Sequence, residues 1–80
     1  MRNLKHILNL RIERENETEI KLKQHISEKL QHIDHCVKMG AMDIVFKETA
    51  KLNEMLGHLN MVLFNREEYK DLISILEEEN

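Results

Sequence analysis

The chain has no proline and only two glycines, Gly40 and Gly57, in 80 residues. Folds with many reversals draw on those residues at their turns, so this scarcity argues against them. Tryptophan is absent, and the aromatics are limited to Phe46, Phe64 and Tyr69. Any core must therefore be built from aliphatic and methionine side chains. One cysteine, Cys36, excludes an internal disulfide framework and fits a reducing compartment. No apolar run exceeds residues 61–64, far short of the roughly 20 residues that span a bilayer. Residues 1–10 hold no apolar block of the size a secretion signal needs, so the expected location is cytoplasmic. The formal net charge of −3 supplies no basic field to attract nucleic acid.

What the chain does have is leucine, isoleucine, glutamate and lysine, which lose little rotamer freedom in a helix. Asn3 can cap a first helix, with Leu4, Ile7, Leu8 and Ile12 on one stripe. Residues 15–19 are wholly polar, and Asn16 with Glu19 is a cap-like pair, so one long helix and a break there are both open. The stripe resumes through Leu22, Ile26, Leu30, Ile33 and Val37, the repeat of a helix packed on another helix. Gly40 follows Lys38 where a left-handed residue ends a helix. Asp43 can cap the next helix. Its stripe is Val45, Thr49, Leu52, Met55 with Leu56, Leu59, and Val62 with Leu63. Gly57 interrupts it, tolerable where a neighbouring backbone comes close. Phe64-Asn65-Arg66-Glu67-Glu68-Tyr69 reads as a third start, with Asn65 at the cap and a staple across it. Tyr69, Leu72, Ile73 and Leu76 continue that segment.

The expected fold is all-α: an antiparallel helical hairpin with a short third helix, dimerising into a bundle, in one domain over residues 1–80. Helices are predicted over 3–39, with a break near 16 left open, over 42–64 and over 66–78. Folding back at Gly40 places residues whose numbers sum to about 81 at one height, so Asn16 faces Asn65. The ends are complementary in charge and could pair within a chain or between chains. Residues 1–14 carry four basic side chains and one glutamate, while residues 66–80 carry six acidic ones against Arg66 and Lys70. The alternative is that both ends are solvated faces, since exposed pairs contribute little.

Candidate chemistry is sparse. His25, His32, His35 and Cys36 form the densest cluster, and His32 with Cys36 has zinc-ligand spacing on one helical face. A structural zinc needs four ligands, and only His58 could add to the set, so semi-exposed histidines beside a small buried Cys36 is the favoured reading. Glu28 and His32 lack the spacing of a di-iron motif. His35 with Lys38 one turn later, before Gly40, resembles a histidine phosphotransfer module, with Gly40 one position late. No nucleophile triad, phosphate loop or Cys-x-x-Cys is present. Residues 1–14 could touch phosphates or an anionic membrane, but the basic charges are interleaved with Glu13. The methionines Met39, Met42, Met55 and Met61 serve as core filler or as an adaptable docking face.

Residues 26–59 resemble the helical hairpin of the small aspartyl-phosphate phosphatases that act on the sporulation response regulator of bacilli. That family has a glycine turn and a second helix with a Ser-Gln-Glu-Leu-Asp-x-Leu-Ile signature. Here the stretch reads Thr49-Ala50-Lys51-Leu52-Asn53-Glu54-Met55-Leu56. Asn53 stands in the place of the functional aspartate, and the Gln-Glu pair is absent. The resemblance implies a hairpin and a binder of a regulator, without phosphatase activity.

These readings converge on a non-catalytic regulatory protein, with no cofactor and no bound metal, that inhibits or modulates a larger protein through helix packing, as a homodimer. Ile20, Ile44, Phe46, Met61 and Ile75 lie off the main stripes, and together with Tyr69 they are the candidate partner or oligomer interface. The alternative is a phosphatase or phosphotransfer component acting on a response regulator through His35 and Lys38.

Overall fold

The computed structural model describes residues 3–79. Arg2, counted above with the basic segment, lies outside them. Two antiparallel helices, α1 (Leu4–Lys38) and α2 (Met42–Glu79), form a rod of 61 × 15 × 15 Å, and no strand occurs among the described residues. Asn3 caps α1 as expected, its side-chain oxygen accepting a hydrogen bond from the His6 N–H at 2.8 Å.

Gly40 makes the turn. Its φ of +75° is the left-handed conformation in which a Cβ would crowd the backbone. The Gly40 N–H donates to the Val37 carbonyl at 3.1 Å and the Ala41 N–H to the Cys36 carbonyl at 2.9 Å. That pair of bonds is the Schellman closure, which satisfies carbonyls the helix end leaves open. Asp43 is not the cap of α2. The helix already begins at Met42, Ala41 supplies the first accepting carbonyl, and Asp43 sits inside the first turn, where its charge suits the helix dipole.

The two glycines differ in kind. Gly57 is exposed mid-helix, and a Cβ built there meets nothing within 4 Å, so no close backbone explains it. Gly40→Ala is expected to cost about 1–2 kcal/mol through its positive φ. Gly57→Ala is expected to stabilise by up to about 1 kcal/mol. Urea titration of the two variants checks this; shifts of the same sign would contradict it.

Neither candidate break is a break. Helix α1 runs through Asn16, and α2 runs through Asn65, so there is no third helix over 66–78. A capping sequence competes only locally, whereas ending α2 at Phe64 would detach Tyr69, Ile73 and Leu76 from α1. Phe64 is not a staple but an exposed outer residue.

The seam explains the continuity. Its α1 residues are Leu8, Ile12, Glu15, Glu19, Leu22, Ile26, Lys29, Ile33 and Cys36, each buried or half-buried. On α2 they are Ala41, Val45, Glu48, Leu52, Met55, Leu59, Val62, Arg66, Tyr69, Ile73 and Leu76. Both step alternately by four and three, the heptad of a left-handed antiparallel coiled coil. Ile12 and Val45 begin the a series and Leu8 and Ala41 the d series. Against the sequence-based stripes, Lys29 and Cys36 replace Leu30 and Val37 at the seam, and Glu48 replaces Thr49. Leu4, Ile7, Leu30, Val37, Leu56 and Leu72 are exposed instead.

Candidate functional site

The seam carries two polar layers. At the first, Lys29 donates to the Glu48 carboxylate from across the hairpin, with both side chains largely covered, and Lys51 lies 3.4 Å from the other oxygen of Glu48. At the second, Arg66 Nη1 donates to Glu19 and to the Asn16 side-chain oxygen, the latter at 2.9 Å. Lys23 adds an ion pair to Glu19 at 2.7 Å. Arg66 Nε is buried without a partner. The meeting of heights 16 and 65 is thus real, but it is a side-chain hook rather than a pair of helix ends. Further out, Lys5 pairs with Glu77 at 2.9 Å, so the oppositely charged ends do meet within one chain.

Both glutamates are held below the ordinary carboxylate range. For Glu19 the main cause is the hydrogen bond from Lys23, followed by that from Arg66. For Glu48 it is the hydrogen bond from Lys29, which outweighs the opposing effect of burial. A depressed folded-state pKa means that the unfolded chain takes up these protons first. The stability contributed is therefore full above the ordinary glutamate value, about 4.3, and is lost as pH falls through the depressed values. Thermal melts between neutral pH and about pH 3, at fixed protein concentration, are expected to show a smaller fall in Tm for Glu19→Gln/Glu48→Gln than for the parent. An equal fall would remove the two carboxyls from the acid sensitivity.

The proposed chemical residues are not gathered into a site. His35 is exposed on α1, and Lys38 pairs with Asp34 at 3.0 Å, one turn along its own helix. His32 Nε2 lies 3.7 Å from the buried Cys36 Sγ, and no group of three or more potential metal ligands comes together among the described residues. His58 borders a shallow depression with Leu22, Lys51, Glu54 and Met55. The Thr49 hydroxyl donates to the Val45 carbonyl at 2.7 Å, and Asn53 is exposed beside it on the surface of α2. No described helix is long and apolar enough to cross a membrane.

The six expected interface residues divide. Tyr69 is half-buried on the seam, facing α1, and is not available to a partner. In an antiparallel heptad pair, the residues just after a and d (positions b and e) of both helices flank one side of the seam. Those just before a and d (g and c) flank the other. Ile20 and Phe46 fall on the first side. Ile44, Met61 and Ile75 fall on the second. All five are exposed, Phe46 to 69% and Met61 to 64%. Phe64, one turn from Met61 and equally exposed, turns directly away from the seam, and a depression lies between the two, edged by Asn60 and Asn65.

The sequence reading missed Phe64 as a surface residue, and missed Lys29, Glu48 and Arg66 as seam residues. Strict three-and-four stepping through 26, 29, 33 and 36 was the signal available for the seam. Comparison of the chain with known protein families, with curated proteins and with solved structures finds no match.

Proposed function

We propose that the chain is a small, non-catalytic, cytoplasmic regulatory protein that binds a larger protein by helix packing and works as a homodimer. The outer ridge of α2 carries this reading. Met61 and Phe64 stand well out of the hairpin, with Asn60 and Asn65 at the edge of the hollow between them. Methionine and aromatic anchors inside a polar rim are the anatomy of a protein interface. Gly57 lies one turn before Met61 on the same helix, where a Cβ would meet nothing within 4 Å.

The test begins with capture of a partner on the tagged chain, followed by reconstitution with the purified partner. Met61→Ser/Phe64→Ser is expected to weaken that complex at least about tenfold while leaving helical circular dichroism unchanged, since both side chains are anchors rather than core. Undiminished affinity would sink the reading. A phosphorylated response regulator is expected to keep its phosphate when the chain is added. Phosphate loss that disappears in His35→Gln would put the phosphotransfer alternative in its place.

A further inference from the structure

The apolar stripe visible in the sequence is wider than the seam the hairpin uses. The seam takes only a and d. The surplus residues Leu30, Val37, Met42, Leu56 and Leu63 all follow a d residue, so they occupy e and gather on one flank with Phe46. Four of them, Leu30, Val37, Met42 and Leu56, are between 43% and 51% exposed, and only Leu63 is half-covered. A strict a and d pattern suits a two-stranded coil, whereas a, d and e together is the pattern of a helix facing the core of a larger bundle. This chain has the second pattern in a structure that satisfies only the first.

Charge follows the same division. Between Met42 and Leu63 no e or b position of α2 holds an ionisable side chain. On the other side, over the same stretch, Lys47, Lys51, Glu54 and His58 occupy g and c. The two charges that α1 presents on the apolar flank over this stretch, Lys23 and Asp34, are paired along their own helix with Glu19 and Lys38. A surface cleared of charge at its centre is what the core of an interface requires.

We infer that this flank seats a second copy of the chain, laid side by side to complete a four-helix bundle. The inference rests on the reading of the chain as a self-associating binding module, and it names the surface and the occupant. Two observations favour a second copy over a foreign protein, and a third shows that a rod of this shape has surface to spare. The flank is continuous with the seam, so a second hairpin extends the same packing by its own e residues. Because the centre of the flank has no unpaired charge, a two-fold contact there brings no like charges together, a constraint that an isologous interface must meet. The area also fits. The chain exposes 6359 Å² at 9.6 kDa, whereas a compact monomer of that mass exposes about 5,100 Å². The difference exceeds the roughly 800 Å² that each partner contributes to a standard interface.

Sedimentation equilibrium and small-angle scattering decide it. The wild-type chain is expected at twice 9.6 kDa, with a longest dimension still near the 61 Å of one hairpin. Leu30→Glu and Leu56→Glu change exposed residues and are expected to run at the mass of one chain with helicity retained. Asn53→Arg adds charge to the flank without removing any apolar side chain, and is expected to weaken dimerisation at least about tenfold whether or not the glutamate variants fold. Ile75→Glu, on the opposite side, is expected to leave the mass doubled. A wild-type mass of one chain at every concentration would overturn the inference, as would a doubled length, dimerisation unaffected by Asn53→Arg, or dissociation caused by Ile75→Glu. The two readings fail separately. A chain that stays single but loses its partner through Met61→Ser/Phe64→Ser refutes the self-association and leaves the partner surface standing. A dimer that still binds its partner at full affinity with Met61→Ser/Phe64→Ser refutes only the partner surface.

Discussion

Val62→Asp is expected to abolish the cooperative unfolding transition of this chain. Val62 is 3% exposed, the most deeply covered of the four buried hydrophobic residues described, and it lies on the seam between Leu59 and Arg66. A carboxylate there is taken out of water at an effective cost of several kcal/mol unless it is paired. The cation one turn away, Arg66, is already engaged by Glu19 and Asn16. Either the new carboxylate or Glu19 is left without it. A domain of this size has roughly 4–12 kcal/mol of stability in all, so such a loss removes most of it. Val62→Ala, which only truncates the side chain, is expected to cost about 2 kcal/mol. Leu10→Asp, on the outside of α1, should fall within about 0.5 kcal/mol of the parent. Circular dichroism melts of the three variants test the order. A sharp transition near the parental Tm for Val62→Asp would mean that the seam is not where the hairpin derives its stability.

The depth of that effect turns on how little is buried. Leu8, Cys36, Val45 and Val62 are the only buried hydrophobic residues described, while large apolar side chains stand exposed along both helices. On the proposed reading, this imbalance ties folding to association. A chain whose stripe is wider than its seam gains from any partner that covers the remainder. The uncharged flank and the Met61–Phe64 ridge point in different directions, so one chain can present the ridge while the flank is occupied. Self-association would then hold the ridge in a fixed frame rather than compete with it.

Much of this was legible in the sequence where the cause is local. Gly40 marks the turn because only a residue without a Cβ takes its φ of +75° freely. Asn3 marks the start of α1 because its oxygen can reach an unpaired N–H. The pairing of heights followed from the turn alone, and Lys5 with Glu77 and Asn16 with Arg66 obey it. What failed is what depends on the other helix. Asn65 carries a good capping signal, but the residues beyond it are held by α1, and propensity yields to that packing. Leu30 outranks Lys29 on any hydropathy scale. Lys29 nevertheless takes the seam, because Glu48 lies across from it and the heptad spacing is kept. The interface candidates divide for the same reason. Ile20, Ile44, Phe46, Met61 and Ile75 lie off the stripes of the sequence and Tyr69 on the last of them, and only the seam tells which side each one faces.

The polar hook should show a reversal of sign between single and double substitution. Arg66→Met is expected to lower Tm by about 5–10 °C, because it strips a partner from a largely covered carboxylate. Glu19→Leu/Arg66→Leu removes the donor and the acceptor together and places two good seam residues in contact. It is expected to melt at or above the parental Tm, since covered ion pairs gain little over well-packed apolar replacements. Glu19→Leu alone leaves the guanidinium, whose Nε already lacks a partner, with only Asn16, and should resemble Arg66→Met. Completed with Arg66→Leu as the second single substitution, the melts form a double-mutant cycle, and an additive result would show that the two residues do not act as a unit. If the double variant is the more stable, the hook persists for a reason other than stability. An apolar layer at Glu19 and Arg66 would carry the hydrophobic seam unbroken past mid-hairpin, where a helix of another chain could enter in either direction. Arg66, tied at once to Asn16 and Glu19, accepts only the antiparallel neighbour that the Gly40 turn supplies. Analytical ultracentrifugation of the double variant should therefore show species beyond those of the parent, even as its melting temperature rises.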